Sequence, residues 1–264
     1  DVRGVHGSNN TVYSNNITVH GRSSSGAVYG NDNNIYDNTL QNNFGHSSNQ
    51  VVWAGGDTRI HSNTISGNPE SIIRGGSRSN LEVSNNTISA YGGNWVIYAE
   101  DSEVEITGNQ ITASNSGIYL NNSTFGELRN NTISGAGGTG VKIDNLSDVV
   151  VVNNIIANFD IGVQADNDLI NYNINNNNLW NIAGSMFTGT ALAPLIGQMI
   201  DQNANGDASD IYENISFDPN FVEGSYQLSS GSACIDAGSS SYLDPNGTLS
   251  DIGAIPFGTL LSES

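Results

Sequence analysis

Apolar residues in the first two thirds of the chain fall into three tracks that recur with a steady phase. One track reads Val12, Ile35, Ile60, Val83, Ile106, Leu128, Val151 and Ile174. A second reads Ile17, Leu40, Ile65, Ile88, Ile111, Ile133, Ile156 and Leu179. A third, on separate short runs, reads Val5, Val28, Val52, Ile73, Val96, Ile118, Val141 and Val163. The runs are three to five residues long, rich in β-branched residues and Leu, and bounded by Gly, Asn, Ser and Asp. That pattern predicts short strands joined by tight turns, since a helix would need apolar residues every three or four positions over a longer window.

Between the first two tracks an asparagine keeps its place. It opens the phrase Asn-Thr-Ile-Ser at Asn63, Asn86 and Asn131, with looser copies at Asn15, Asn38, Asn109, Asn154 and Asn177. The intervals are 23, 25, 23, 23, 22, 23 and 23 residues. Such a period marks a repeat architecture. Three short strands per period make one coil of a parallel β-helix, and stacking the coils about 4.8 Å apart buries a continuous aliphatic core. The expected fold is all-β, with about eight coils of about 23 residues. The asparagine tolerates the left-handed conformation that a tight corner requires. Stacked amides can also hydrogen-bond from coil to coil.

The phrases "NNTIS", "SGIYLNNS" and "TGVKIDN" resemble the right-handed parallel β-helix repeat of the pectate-lyase-like superfamily, over roughly residues 1 to 180. The closing stretch "ISFDPNFVEGSYQLSSGSACIDAGSS…DIGAIPFG" is similar to the segment that ends many secreted bacterial β-helix proteins. The resemblance implies a right-handed solenoid and a secreted or cell-surface location. The superfamily spans polysaccharide lyases, glycoside hydrolases, uronate epimerases, phage tailspikes, adhesins and structural modules, so fold alone does not select a function.

Three regions are expected: coils over 1–184, an irregular connection over 185–215 in which "MFTGTALAPLIGQMI" forms a short helix or an apolar cover, and a β-structured cap over 216–264 that closes the solenoid. No helix precedes the first coil in this sequence. Its strand edges are therefore expected either to follow a removed segment or to stack end to end on another molecule.

Charge narrows the partners. Against 26 acidic residues stand seven basic ones, giving −19. Nucleic acid and anionic membrane surfaces are repelled, and a polyanionic glycan is repelled too unless cations bridge it. No apolar run reaches membrane-spanning length, so no membrane insertion is expected. The lone Cys234 has no internal disulfide partner and reads as a small core residue. Sequons at Asn16, Asn145 and Asn246 follow from the repeat phrase and carry no argument for glycosylation.

Three places hold candidate chemistry. The residues following the third track, His6, Tyr29, Trp53, Arg74, Ile97, Tyr119, Lys142 and Gln164, form one outward stripe, about 34 Å long at the usual strand spacing. Its aromatic faces suit pyranose rings, and its cations suit hydroxyls or carboxylates. Tyr29, Trp53, Arg74, Tyr119, Lys142 and Gln164 are thus candidate polysaccharide-binding residues. By the resemblance, a Lys or Arg on such a face removes the proton alpha to a uronate carboxyl, which makes Lys142 the candidate base and Tyr119 the candidate acid. Arg74 is three rungs away, about 14 Å, and cannot share that bond. The plainer alternative is a sheet face covered by long side chains. A second place pairs Asp144 and Asp166 on adjacent rungs beside Asn121, Asn145, Asn167 and Asp168, either a calcium site or solvated turns. The third is "DQNANGDASDIYE", where Asp201, Asn203, Asn205, Asp207 and Asp210 match the start of a calcium loop. Position twelve is Tyr212 rather than Glu, so an acidic turn remains the alternative. Phosphate-binding Gly loops, paired metal-binding histidines and a serine nucleophile elbow are missing from the sequence. Two readings follow: a polysaccharide-recognising module with lyase or epimerase chemistry open, or a structural or adhesive module that stacks into filaments.

Overall fold

The computed structural model describes residues 3–20, 26–43, 49–122, 124–145, 147–166 and 173–259. It is an all-β parallel solenoid in which each turn lays one strand in each of three sheets. One such turn comprises Ser116–Asn121, Phe125–Arg129 and Thr132–Ser134. The first sheet has nine strands, from Arg3–His6 to Ser185–Thr188, and the second and third have eight each. Every neighbouring pair in these sheets is parallel and keeps the apolar tracks in register, as at Ile60, Val83, Ile106 and Leu128. Stacked in this way, Val, Ile and Leu fill a single core that excludes water along its length.

The asparagine column is continuous. Each Nδ2 donates to the Oδ1 of the next asparagine, from Asn15 through Asn38, Asn63, Asn86, Asn109, Asn131, Asn154 and Asn177. Each buried link also ties two backbone carbonyls; for Asn109 these belong to Val83 and Thr107. The corner conformation, however, belongs to the preceding residue. Ser14, Asp37, Ser62, Asn85, Asn130, Asn153 and Asn176 have φ between 51° and 58°, and Gly108 has φ 67°. The ladder asparagines themselves keep negative φ, so their amides bond along the stack while their neighbours make the turn. A ninth member, Asn214, accepts from Asn177 across a 37-residue interval. Its own Nδ2 meets both oxygens of the buried Asp210.

A second polar column lies at the corner between the first two sheets. Thr58, Ser79, Ser102, Thr124 and Ser147 are all buried there. Hydroxyls of Ser79 and Ser102 lie 3.1 Å apart, and the Thr124 amide donates to Ser147 Oγ. Short hydroxyl side chains satisfy corner amides that the core cannot, which is what a buried backbone requires.

The connection over 185–215 is irregular, with no helix among its residues. Met186, Phe187 and Ile196 pack with Ile182 against the core and cover its last rung. Ser216 and Phe217 bond to Leu179 and Asn178 on the last rung of the third sheet, and most of residues 218–259 lie elsewhere than over that end. They run along the flank of the solenoid, where outward-facing Ile155, Ala157 and Trp180 form a second apolar cluster with Ile215, Leu228, Cys234, Ala237 and Ile252. Asn130 donates to the Asp251 carbonyl, the Ala254 amide donates to Thr132, and Asn153 accepts from Ser239. A cap that closes the end is therefore supplied by the connection, and the C-terminal segment acts as a lateral brace.

Candidate functional site

In the first sheet each strand turns its side chains alternately, so the residue after the inward apolar one faces out. The observed row is His6, Tyr29, Trp53, Arg74, Tyr98, Tyr119, Lys142 and Gln164, each in register with the next. One member differs from the sequence expectation. Ile73 pairs with Ile97, which is fully buried, and Tyr98 takes the outward place assigned to Ile97. Val96 and Ile97 are both buried, so apolarity cannot decide between them. The signal that could have decided is the aromatic residue after the apolar pair, as in Val51-Val52-Trp53 and Val96-Ile97-Tyr98.

The row makes two runs of side-chain contact, from His6 to Trp53 and from Arg74 to Lys142. Tyr29 and Trp53 stack with centroids 4.6 Å apart, and His6 lies 5.7 Å from Tyr29. Glycines make room for the indole: a Cβ on Gly55 or on Gly76 would come within 2.9 Å of the Trp53 ring. The Arg74 guanidinium lies 4.6 Å from the Tyr98 ring centre, and Tyr98 meets Tyr119 edge to face at 5.3 Å. Trp95, which the sequence reading missed, tilts against Tyr119 at 4.9 Å. The Lys142 ammonium lies 5.0 Å from the Tyr119 ring centre. Arg74 and Lys142 both use aromatic faces as cation partners.

Beside this row runs a line of oxygen ligands. Glu100, Asn121, Asp144 and Asp166 follow one another on successive rungs. Tyr98 Oη donates to Glu100 at 2.9 Å, and Tyr119 Oη to Asp144 at 3.2 Å. Lys142 Nζ lies 3.1 Å from the same Asp144 oxygen, and Gln164 donates to Asp166. Burial, followed by the Asp144 charge and its hydrogen bond, pushes Tyr119 up to about 12, and burial raises Tyr98 too. Asp144 and Asp166 do sit on adjacent rungs, each already hydrogen-bonded by its own neighbour. Of the other groups proposed there, Asn145 donates to Asn121 at 2.7 Å, while Asn167 and Asp168 lie outside the described residues.

The loop at Asp201 forms a small antiparallel hairpin, Asp201–Gln202 against Ala208–Ser209. Asn203 is buried, and its Oδ1 accepts from the amides of Asn205 and Asp207. Asn205 reaches the Ile235 carbonyl, and Asp210 accepts from the amides of Gly197, Tyr212 and Asn214. Asp201 is exposed, Asn203 serves its own loop's amides, Asn205 is tied to Ile235 and Asp210 faces the ladder, so these side chains are engaged separately. Among the described residues no group of three or more His, Cys, Asp or Glu side chains is placed to hold a metal ion.

Cys234 is fully buried, accepts from Asn178 Nδ2 at 3.1 Å, and burial pushes its thiol up to about 12. It is a core residue with an inert thiol. A groove of about 510 Å³ lies between the Ser241–Pro245 stretch and Arg129 and Asn130. In it the Arg129 guanidinium lies 4.7 Å over Tyr242, whose hydroxyl donates to Glu127. Among the described residues no helix is long and apolar enough to cross a membrane.

Neither curated proteins nor solved structures give a match to the chain. A family model described as the right-handed beta helix region does match, over residues 49–214, more than half the sequence. That span holds the stacked rungs, the asparagine column through Asn214, and the stripe from Trp53 to Gln164; the chain belongs to the right-handed β-helix family.

Proposed function

We propose that the outward stripe of the first sheet binds an extended polysaccharide lying along the solenoid axis, on a secreted or cell-surface module. The observation that carries the reading is the in-register row from Tyr29 and Trp53 through Arg74, Tyr98 and Tyr119 to Lys142, with side chains touching from Tyr29 to Trp53 and from Arg74 to Lys142. A row of aromatic side chains at the strand spacing offers successive ring edges to successive sugars, and the flanking oxygens and cations meet their hydroxyls. Binding is favoured over bond cleavage. The candidate base Lys142 is ion-paired to Asp144, and the candidate acid Tyr119 spends its proton on that same oxygen with a pKa of about 12. General acid–base catalysis works best with groups that titrate near the working pH, far below that value. The test is tryptophan fluorescence titration with soluble polysaccharides. A saturable change that Trp53→Ala abolishes is the expected outcome, and a flat response across the set counts against the reading.

A second reading, end-to-end self-association, draws on the first rung. Its strands follow the same register as those of the next rung, so a like rung can stack on them in the same way. Sedimentation velocity over a wide concentration range separates the two readings, because stacking makes the sedimentation coefficient rise with concentration.

A further inference from the structure

Resting on the glycan reading of the stripe, we infer that its ligand is an uncharged polysaccharide and that polyuronates are excluded. The stripe's cations are engaged within the protein. Lys142 Nζ is 3.1 Å from Asp144 Oδ2 and lies against Tyr119, and the Arg74 guanidinium covers Tyr98. Alongside them stand three carboxylates, Glu100, Asp144 and Asp166, so from Arg74 to Asp166 the face carries two positive and three negative groups, a net of −1. The chain around it totals −19. A uronate polymer brings one further carboxylate per sugar, at a spacing close to that of the rungs, and meets like charge at each step.

An uncharged polyol meets the opposite situation. A carboxylate is acceptor-only and offers about four lone-pair sites. Each of the three is already oriented by an internal donor: Glu100 by Tyr98, Asp144 by Lys142 and Tyr119, and Asp166 by Gln164. Held in this way, their remaining lone pairs accept from sugar hydroxyls without first losing rotamer freedom. The outward edges of the Trp53, Tyr98 and Tyr119 rings then pack against the sugars, their faces being turned along the stack toward Tyr29, Arg74 and Lys142. The acidic row thus works as a set of fixed hydroxyl acceptors and as a filter against anionic chains.

The test is affinity electrophoresis of the whole chain in gels that contain a β-1,4-glucan, a mannan, an α-glucan or polygalacturonate, with and without calcium. Three variants run beside it: Trp53→Ala, Tyr119→Ala, and the combined Glu100→Gln, Asp144→Asn, Asp166→Asn. Circular dichroism confirms that each is folded. The expected result is retardation of the wild type in at least one uncharged gel and none in polygalacturonate. Each aromatic variant should lose about tenfold or more in affinity. The combined variant should weaken on the uncharged polymer and begin to enter a complex with polygalacturonate. Equal or stronger retardation by polygalacturonate overturns the uncharged-ligand inference while leaving the glycan site standing. No retardation in any gel, or retardation unchanged in both aromatic variants, overturns the glycan reading of the stripe itself.

Discussion

Replacing Asn109 by Ala cuts the asparagine column in its dry interior, and the structure sets the size of the effect. Asn109 Nδ2 donates to Asn131 Oδ1, to the Val83 carbonyl and to the Thr107 carbonyl, at 2.9, 2.8 and 3.1 Å. Its Oδ1 accepts from the backbone amide and the side chain of Asn86, both at 3.0 Å. Asn109 is fully buried, so no water replaces these partners. Two amide protons shared among three acceptors and two accepted bonds, at about 1 kcal/mol net per bond, with stranded partners costing about 1–3 kcal/mol apiece, place the loss at about 4–6 kcal/mol. Asn15 has the same phase in the repeat but sits exposed on the first rung, where it donates to Asn38 and to the Tyr13 carbonyl. Water can take over those bonds, so Asn15→Ala should cost about 1 kcal/mol or less. The assay is urea denaturation followed by circular dichroism, with the two variants compared by midpoint because repeat arrays need not unfold in one step. Midpoints that shift equally for Asn15→Ala and Asn109→Ala would refute the argument that burial of the column, rather than the residue type, carries the stability.

Other expectations are independent of that one. Burial and the neighbouring Asp251 charge push Asp244 up to about 6, and Asp251 is raised as well, chiefly by burial. A carboxyl whose folded pKa is raised favours the folded state below its unfolded value near 3.8 and loses that contribution as pH rises through about 6. Hydrogen exchange in residues 241–256 should therefore reveal a looser brace at pH 7.5 than at pH 5, and Asp244→Asn should remove the difference; a pH response that survives this change would point elsewhere. Asp210→Ala should leave Asn214 without its acceptor and make the connection over 189–215 the first site of limited proteolysis, whereas an unchanged cleavage pattern would mean that the apolar cover alone holds it. Cys234 should resist a thiol reagent in the native state and react at once in denaturant; fast native labelling would contradict its burial.

How much of this was legible in the sequence follows from what repetition can and cannot encode. The tracks through Ile60, Val83 and Ile106, and the column through Asn63, Asn86 and Asn109, recur with one period, and the coil geometry places them without further information. Repetition failed where two choices were equally apolar, as at Val96 and Ile97, so Tyr98 was missed and with it the link between Arg74 and Tyr119. It failed again at Asn214, because the 37-residue interval hides a residue that belongs to the column. The left-handed corner was assigned to the asparagine although its predecessor makes the turn, since Ser14, Asp37, Ser62 and Asn85 share no residue type that would mark the position. Residues 216–259 were expected over the end of the solenoid. Their docking on the flank depends on the outward Ile155, Ala157 and Trp180, whose direction becomes evident only when the rungs are stacked. The order of the stripe is readable apart from Tyr98, but the pairing of Lys142 with Asp144 is a side-chain contact that the repeat does not encode.

The asparagine column also has a direction. Within the column each Nδ2 donates to the next Oδ1 toward the C-terminal end and each Oδ1 accepts from the N-terminal side, so the side-chain links form a directed string that each new member must continue. At Asn214 the string meets Asp210, a carboxylate with nothing to donate, and there the sequence of donors stops. A molecule built this way has an adjustable length and a fixed terminus. Removing or duplicating one period in the middle, such as residues 87–109, rejoins identical bonds on both sides and leaves the terminating carboxylate untouched. Evolution or design can therefore lengthen the outward stripe one rung at a time, while the same closing groups serve every version.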